Sequence, residues 1–364
     1  MEIYSPYIHF GDVYSDITLD RSVSGMGAGG IAITSINFSV PRSAYNAVAS
    51  VRAPLVRLIL TPKGGGSIKL PDFYVDSRAM TRDAVKFTAY DRLAFADGVK
   101  LTVHDVGADE GTETITAAEI VDIIAAKLEL DGWSNKEGAF DALGSMTTAE
   151  LVGSTCSSVL TSIAAVLMGF WCVSNDNILV FSTWYANIDE ITYACKDCTL
   201  PDIGDTLTIT EYIADDSSGN EFSYSLDKGG ILLQADSGNL IRSKEAAKMI
   251  GQNMCGRTYT YGKVDKALID HIPELNTQYS FADGDALTIN NISAVISCGG
   301  IVAQLSANSA GGNEIGASLG EISRRLEQVI KIADRDGSNI IHTRYQGDIQ
   351  VDSDEYEKYL KGEV

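Results

Sequence analysis

Residues 157–184 read SSVLTSIAAVLMGFWCVSNDNILVFSTW, and the reading of the fold starts from them. Leu160, Ile163, Ala164 and Leu167 fall at i, i+3, i+4 and i+7, the spacing of one buried helix face. Gly169 is expected to end that helix. Residues 170–174 and 178–184 then read as strands, with Asn175, Asp176 and Asn177 as the polar turn between them. This predicts a hairpin packed on the helix that precedes it. Residues 156–173 are also the most apolar run of the chain. Ser157, Ser158, Thr161 and Ser162 interrupt it, and its longest unbroken part, 163–173, is too short for a bilayer. A buried helix is expected here, with no membrane insertion.

Upstream, Thr116 and Glu119 have the spacing of a capping box, in which hydroxyl and carboxylate satisfy orphan N–H groups reciprocally. Ile120, Ile123, Ile124 and Leu128 follow at helical spacing, and Gly132 is expected to stop the run. Residues 105–185 thus read as one small α+β domain.

The flanking regions read as strands. Ile31, Ile33, Ile36, Phe38 and Val40 show the alternation of half-buried strands. Residues 55–61 and 67–70 flank a turn at Gly64, Gly65 and Gly66, and 73–78 and 84–90 flank a second turn at 80–83. Pro54 and Pro71 suit strand starts, where a missing N–H is tolerated. Past 186, strands are expected at 206–213, 221–226 and 230–235, with a helix at 243–255 stopped by Gly256. A hairpin of 292–298 and 301–307 turns at Gly299 and Gly300. Residues 95–103 (FADGVKLTV) echo 281–289 (FADGDALTI), with a partial third copy at 204–209. Such an echo arises wherever a tight turn feeds an alternating strand, or where two blocks copy one barrel type.

The expected fold is mainly β with an α+β insertion. It has a first antiparallel β-barrel-like domain (1–104), the helix-plus-hairpin domain (105–185) and a second barrel-like domain with one helix (186–310). A short amphipathic helix (311–333) and an acidic tail (334–364) complete it.

Charge follows the same partition. The chain has 28 Lys and Arg against 49 Asp and Glu, a net of −21. Residues 1–104 hold 11 basic and 9 acidic side chains, 105–150 hold 2 and 11, and 151–235 again 2 and 11. Residues 236–313 return to 6 and 7, 314–333 balance at 3 and 3, and 334–364 end at 4 and 8. Such an acidic chain is ill suited to gripping a phosphate backbone, though not to letting nucleic acid slide past.

In the C-terminal helix Ile315, Leu319, Ile322, Leu326, Val329 and Ala333 recur in steps of four and three. Leu319 and Leu326 take a positions and Ile315, Ile322 and Val329 take d positions, a choice that favours three or four strands over two. A coiled-coil seam between copies and a single helix docked on its own chain both fit this pattern.

Catalytic signatures are sparse. Cys195 and Cys198 form a CxxC, but no helix pattern begins there to lower a thiol pKa, and no second ligand pair completes a zinc site. His9, His104, His271 and His342 are scattered. Gly25, Gly27 and Gly30 match GxGxxG, yet a strand follows where a dinucleotide site needs a helix. Neither a Walker A sequence nor GxSxG occurs. No catalytic, cofactor or metal site is expected. Residues 1–10 lack the features of a secretion signal, so a protein made in the cytoplasm is expected.

Residues 73–78 (FYVDSR) with 85–93 (VKFTAYDRL), the helix–Gly–strand–turn–strand run 160–181, and 283–289 (DGDALTI) with the Gly299–Gly300 hairpin together resemble the tail-hub proteins of tailed phages. The resemblance spans most of residues 1–310. It implies a baseplate or tail-tip hub of a phage or prophage-derived contractile injection particle. Such hubs are homotrimers whose two barrels per chain make a pseudo-hexameric ring. The ring joins a sixfold tail tube to a threefold spike or fibre, and DNA passes through it. The implied location is the virion tail, with the chain itself, tube and spike proteins as partners. Too few residues follow 310 for the family's occasional hydrolase domain, so an enzyme is not expected. The alternatives are a receptor- or carbohydrate-binding β-module, which calls for exposed aromatics, and a carboxylate-dependent glycan hydrolase.

Overall fold

Alternating burial along two early strands starts a sheet that runs through most of the molecule. The computed structural model describes residues 2–4, 9–10, 16–23, 30–42, 55–60, 68–108, 111–135, 140, 143–183, 192–194, 198–199, 201–216, 221–226, 231–238, 244–269, 271–280, 286–297 and 300–307. The first region supplies β1 (Glu2–Tyr4), β2 (His9–Phe10), β3 (Ile17–Ser22), β4 (Gly30–Pro41), β5 (Leu55–Leu60), β6 (Ile68–Met80) and β7 (Ala84–Tyr90), then a 3-10 turn, η1 (Arg92–Gly98).

The middle region runs β8 (Thr114–Thr116), α1 (Ala117–Lys127), β9 (Trp133–Asn135), β10 (Ser145–Thr147), α2 (Thr148–Leu151), α3 (Cys156–Val166), β11 (Gly169–Val173) and β12 (Leu179–Thr183). The third region has β13 (Thr192–Ala194), β14 (Asp202–Asp216), β15 (Glu221–Ser225), β16 (Ile231–Gly238) and α4 (Lys244–Met254). It ends with β17 (Thr258–Ile269), β18 (Thr277–Ser280), β19 (Ala286–Ile289), β20 (Asn291–Ser297) and β21 (Gly300–Ala307).

Sixteen strands join in one mixed sheet whose main path is β15-β14-β17-β21-β20-β3-β4-β7-β6-β5-β1-β2. The step from β20 to β3 ties the third region to the first through antiparallel pairs from Asn291↔Ser22 to Ile296↔Ile17. The fold is mainly β, as expected, but no closed barrel is seen among the described residues. The edge of β3 that a self-contained first barrel would have to close is paired with β20 instead.

The helix-plus-hairpin unit forms as the sequence predicts. Thr116 caps α1, accepting from the Glu119 amide at 3.2 Å while the Glu119 carboxylate accepts from the Thr116 amide at 2.9 Å. The Thr116 hydroxyl, donating to the Glu119 carboxylate at 2.6 Å, and the Thr116 amide hold that carboxyl below its usual range. α1 ends earlier than expected, because Glu129 already takes the left-handed conformation three residues before Gly132. Likewise Met168 (φ 50°), not Gly169, makes the left-handed turn after α3. Gly169 serves packing, since a Cβ there would lie 2.4 Å from the Phe181 ring and 2.6 Å from the Ser182 carbonyl oxygen.

β11 and β12 pair antiparallel, and β11 also pairs parallel with the start of β4 at Gly30–Ala32, so the hairpin grows directly out of the main sheet. α3 is buried along most of its length. Trp171 packs under it, fully buried, and donates its indole N–H to the Leu160 carbonyl at 2.8 Å.

Some expectations are adjusted. Residues 68–80 form one strand with Pro71 inside it. β5 pairs at that level, but pairing with β7 begins only at Tyr74, so the missing N–H costs no ladder bond on the β7 side. At the last hairpin Ser297 pairs with Gly300, so Gly300 is already strand. The 95–103 echo takes two forms. Its first copy enters η1 and continues without a strand, whereas residues 286–289 are β19.

Candidate assembly face and the junction behind it

Strands put alternate residues on opposite faces, and cross-strand neighbours line up in rows. Behind the sheet, one row runs Ala267–Ala303–Ala294–Leu19–Ile36–Ala89–Val75 across six strand pairings, all of it buried. Leu287 of β19, fully buried, packs on β17 at Gly262, where a Cβ would lie 3.0 Å from its side chain.

The outward face is polar, and its rows cross the β20–β3 junction without a break. One runs Gln304–Ser293–Asp20–Ser35–Tyr90–Tyr74, its last tyrosine covered by Arg92 and Phe95 of η1. Within it Ser293 donates to Asp20 at 2.6 Å, and Gln304 donates to Asp265 of β17 at 3.2 Å. A second runs Lys263–Ser306–Asn291–Ser22–Ile33, its lysine 3.5 Å from the Asp265 carboxylate. A third, Leu268–Val302–Val295–Thr18–Asn37–Thr88, starts with three exposed aliphatics and ends polar, Thr88 donating to Asn37 at 2.7 Å. This face presents mostly neutral side chains, with acidic groups at Asp20 and Asp265 and Lys263 paired to Asp265.

Three polar contacts pin the sheet to the elements packed against it. Asp91, leaving β7, is fully buried. It donates its amide to the Thr34 carbonyl at 2.9 Å, and its carboxylate accepts from the amides of Thr34 at 2.6 Å and Leu93 at 3.1 Å. Burial pushes its carboxyl up to about 6, against those hydrogen bonds and the charge of Arg21.

Arg92 is the second pin. Its guanidinium stacks over Tyr74 at 4.6 Å, its Nε–H donates to the Leu128 carbonyl at 2.8 Å, and it pairs with Glu129 just beyond α1. Tyr212 of β14 is the third, donating its hydroxyl to the Val166 carbonyl at the end of α3 at 2.9 Å. Tyr259 is buried too; burial pushes its hydroxyl pKa up while it accepts from the Asn290 amide at 2.7 Å.

The seam residues Ile315, Leu319, Ile322, Leu326 and Val329 lie outside the described residues, as do Cys195, His342, Gly25 and Gly27. Cys198 is described and bridges to Ala267 on β17. His271 Nε2 lies 3.4 Å from the Tyr279 hydroxyl. Burial raises the Cys156 and Cys255 thiols to about 11, so both stay protonated near neutrality. Among the described residues no group of three or more His, Cys, Asp or Glu is placed to hold a metal ion, and no helix is long and apolar enough to cross a membrane.

Neither the outward rows nor Asp91 was singled out from sequence. The rows exist only through long-range pairing, and Asp91 looks like any turn aspartate. The alternation of β4 was the one usable signal.

No protein-family model matches the chain, and no curated protein is similar to it in sequence. Solved structures are similar in fold, and they come from phage tails, a baseplate and a secretion system. The 43 kDa tail protein of prophage MuSo2 from Shewanella oneidensis superposes with a TM-score of 0.51 at 12% identity, covering 85% of this chain and 97% of that one. A type VI secretion component of E. coli, itself described as similar to phage T4 tail proteins, gives 0.47 at 8% identity over 86% and 78%. A chain of the phage P2 baseplate gives 0.32 at 10% over 83% and 90%.

Proposed function

We propose that the chain is a non-catalytic structural subunit of a phage-tail-like particle, a baseplate or tail-tip hub. The observation that carries this reading is the fold shared with the prophage tail protein over 97% of that chain's length. Three copies close a ring in which residues 1–104 and 186–310 alternate around the axis and residues 105–185 form the helix-plus-hairpin insertion. The ring joins a sixfold tube to a threefold spike or fibre, with tube and spike proteins as neighbours in the virion tail.

A sheet continuous from β6 through β3 and β20 to β17 supports such a wall, because it already makes side-by-side packing of the two regions rigid within one chain. In this reading the outward face lines the conduit. Its side chains are mostly neutral or acidic, with Lys263 paired to Asp265, and so offer passing DNA few free cations to bind, while each copy adds a net charge of −21. The seam Ile315, Leu319, Ile322, Leu326 and Val329 brings three copies together after the C-terminal end of the third region.

Light scattering on the purified chain, with electron images viewed down the symmetry axis, tests the proposal. A trimeric ring with a central opening is expected. A monomer under all conditions, including with its tube and spike neighbours present, overturns it.

A further inference from the structure

Arg21 and Asp91 are opposite charges buried behind the sheet, where exposed pairs would be ordinary. Arg21 is 5% exposed and Asp91 and Thr34 are fully enclosed. Arg21 donates its Nε–H to the Thr34 hydroxyl at 2.8 Å, while its Nη2 is buried with no hydrogen-bond partner among the described residues. The Asp91 carboxylate takes the amide of Thr34, on β4, and that of Leu93, on η1, so one side chain fastens a central strand to the turn that leads into the α+β unit.

We infer that Asp91, with Arg21 as its fixed counter-charge, is a proton-sensitive pin governing local opening between β4 and η1. The surroundings leave it little other electrostatic control. β4, α3 and β11 carry no Asp, Glu, Lys or Arg. On η1, Arg92 is turned to Tyr74 and Leu128, and Asp97 is exposed. Asp72, Asp76 and Arg78 on β6 and Lys86 and Tyr90 on β7 are the titratable groups of the neighbouring strands, and the charge of Arg21 on β3 favours the ionised carboxyl. Cys156 of α3 stays a neutral thiol.

The sign follows from burial. A solvated carboxyl titrates near 3.8 and this one at about 6, so the closed arrangement holds its proton more tightly than an opened one. Closure is therefore favoured fully below 3.8, and that advantage is lost as pH rises through about 6. Across this interval the closed-to-open ratio falls by roughly a hundredfold. The proton leaves to water, and the ionised carboxylate gains hydration only by opening.

Hydrogen exchange from pH 4 to 7.5, corrected for the intrinsic chemistry of exchange, reads this directly at the Thr34 and Leu93 amides. Protection is expected to fall by roughly a hundredfold with rising pH in the unaltered chain. It is expected to stay level in Asp91→Asn. A level profile in the unaltered chain, an unchanged slope in Asp91→Asn, or an equal fall at the β11–β12 amides overturns a local pin. If Asp91→Asn does not fold, carbon NMR of the Asp91 carboxyl in the unaltered chain decides. A midpoint near 6 supports the pin and one near 3.8 overturns it.

Discussion

Around Trp171 the rings of Phe181, Phe140 and Trp133 lie with centroids 5.0, 5.8 and 6.4 Å away, in tilted and edge-on contacts. At the β3–β20 junction, by contrast, the inward side chains are Ile17, Leu19 and Arg21 against Ile292, Ala294 and Ile296. The unit around Trp171 is held by large side chains fitted around one another, and the junction by a backbone ladder with modest side chains on it. Substitution should therefore be costly in the helix-plus-hairpin unit and mild on the outward face of the junction, though the junction carries the connectivity of the whole sheet.

Trp171→Ala gives the largest effect. It empties a fully buried site, removes the bond to the Leu160 carbonyl and strips three ring contacts, so unfolding free energy should fall by about 3–5 kcal/mol. Urea unfolding followed by circular dichroism measures it. A loss below about 1.5 kcal/mol breaks the comparison, since such a value belongs to a site that can collapse.

Gly169→Ala sharpens it. The added methyl meets the Phe181 ring and the Ser182 carbonyl at distances no real Cβ keeps, and the carbonyl is backbone that cannot swing aside. Overpacking of this kind costs about 1–3 kcal/mol, read as an earlier urea midpoint with unchanged slope. Thr116→Ala comes next. It removes half of the capping box on α1 and should cost about 1 kcal/mol, with Thr116→Ser recovering most of it.

The two regions also differed in how far their sequences could be read. The unit around Trp171 is built from contacts close along the chain, so helical spacing at Leu160 and Ile163, a polar turn at 175–177 and a capping box carried most of it. What failed there was local: Met168 and Glu129 take positive φ themselves, at 50° and 55°, one and three residues before the glycines expected to end the helices. In the main sheet the alternation is broken at its most informative places. β3 puts Arg21 at its third inward position, so the apolar pattern stops after Leu19 although the strand goes on. β17 has a register shift between Val264 and Ala267, and its buried positions therefore do not follow a period of two. Nothing local announces that Asn291–Ser297 will pair with a strand more than 250 residues earlier, and the candidate face follows from that pairing alone.

The smallest effect is the most telling test of the junction. Ser293 and Asp20 face each other across β20 and β3, joined by a 2.6 Å hydrogen bond, and both are exposed. If side chains held the two regions together, Ser293→Ala would remove one of their direct links. If the backbone ladder and the buried row of Leu19 and Ala294 hold them, water replaces the lost hydroxyl at Asp20 and the ladder is untouched. The expected change is then within about 0.5 kcal/mol, measured by urea unfolding beside Thr116→Ala under identical conditions. A loss above about 1.5 kcal/mol would show that the outward polar row is itself structural. Its side chains would then no longer be available to be chosen for what passes in front of them. A near-zero result leaves that face free to be tuned by function, as the conduit wall proposed above requires.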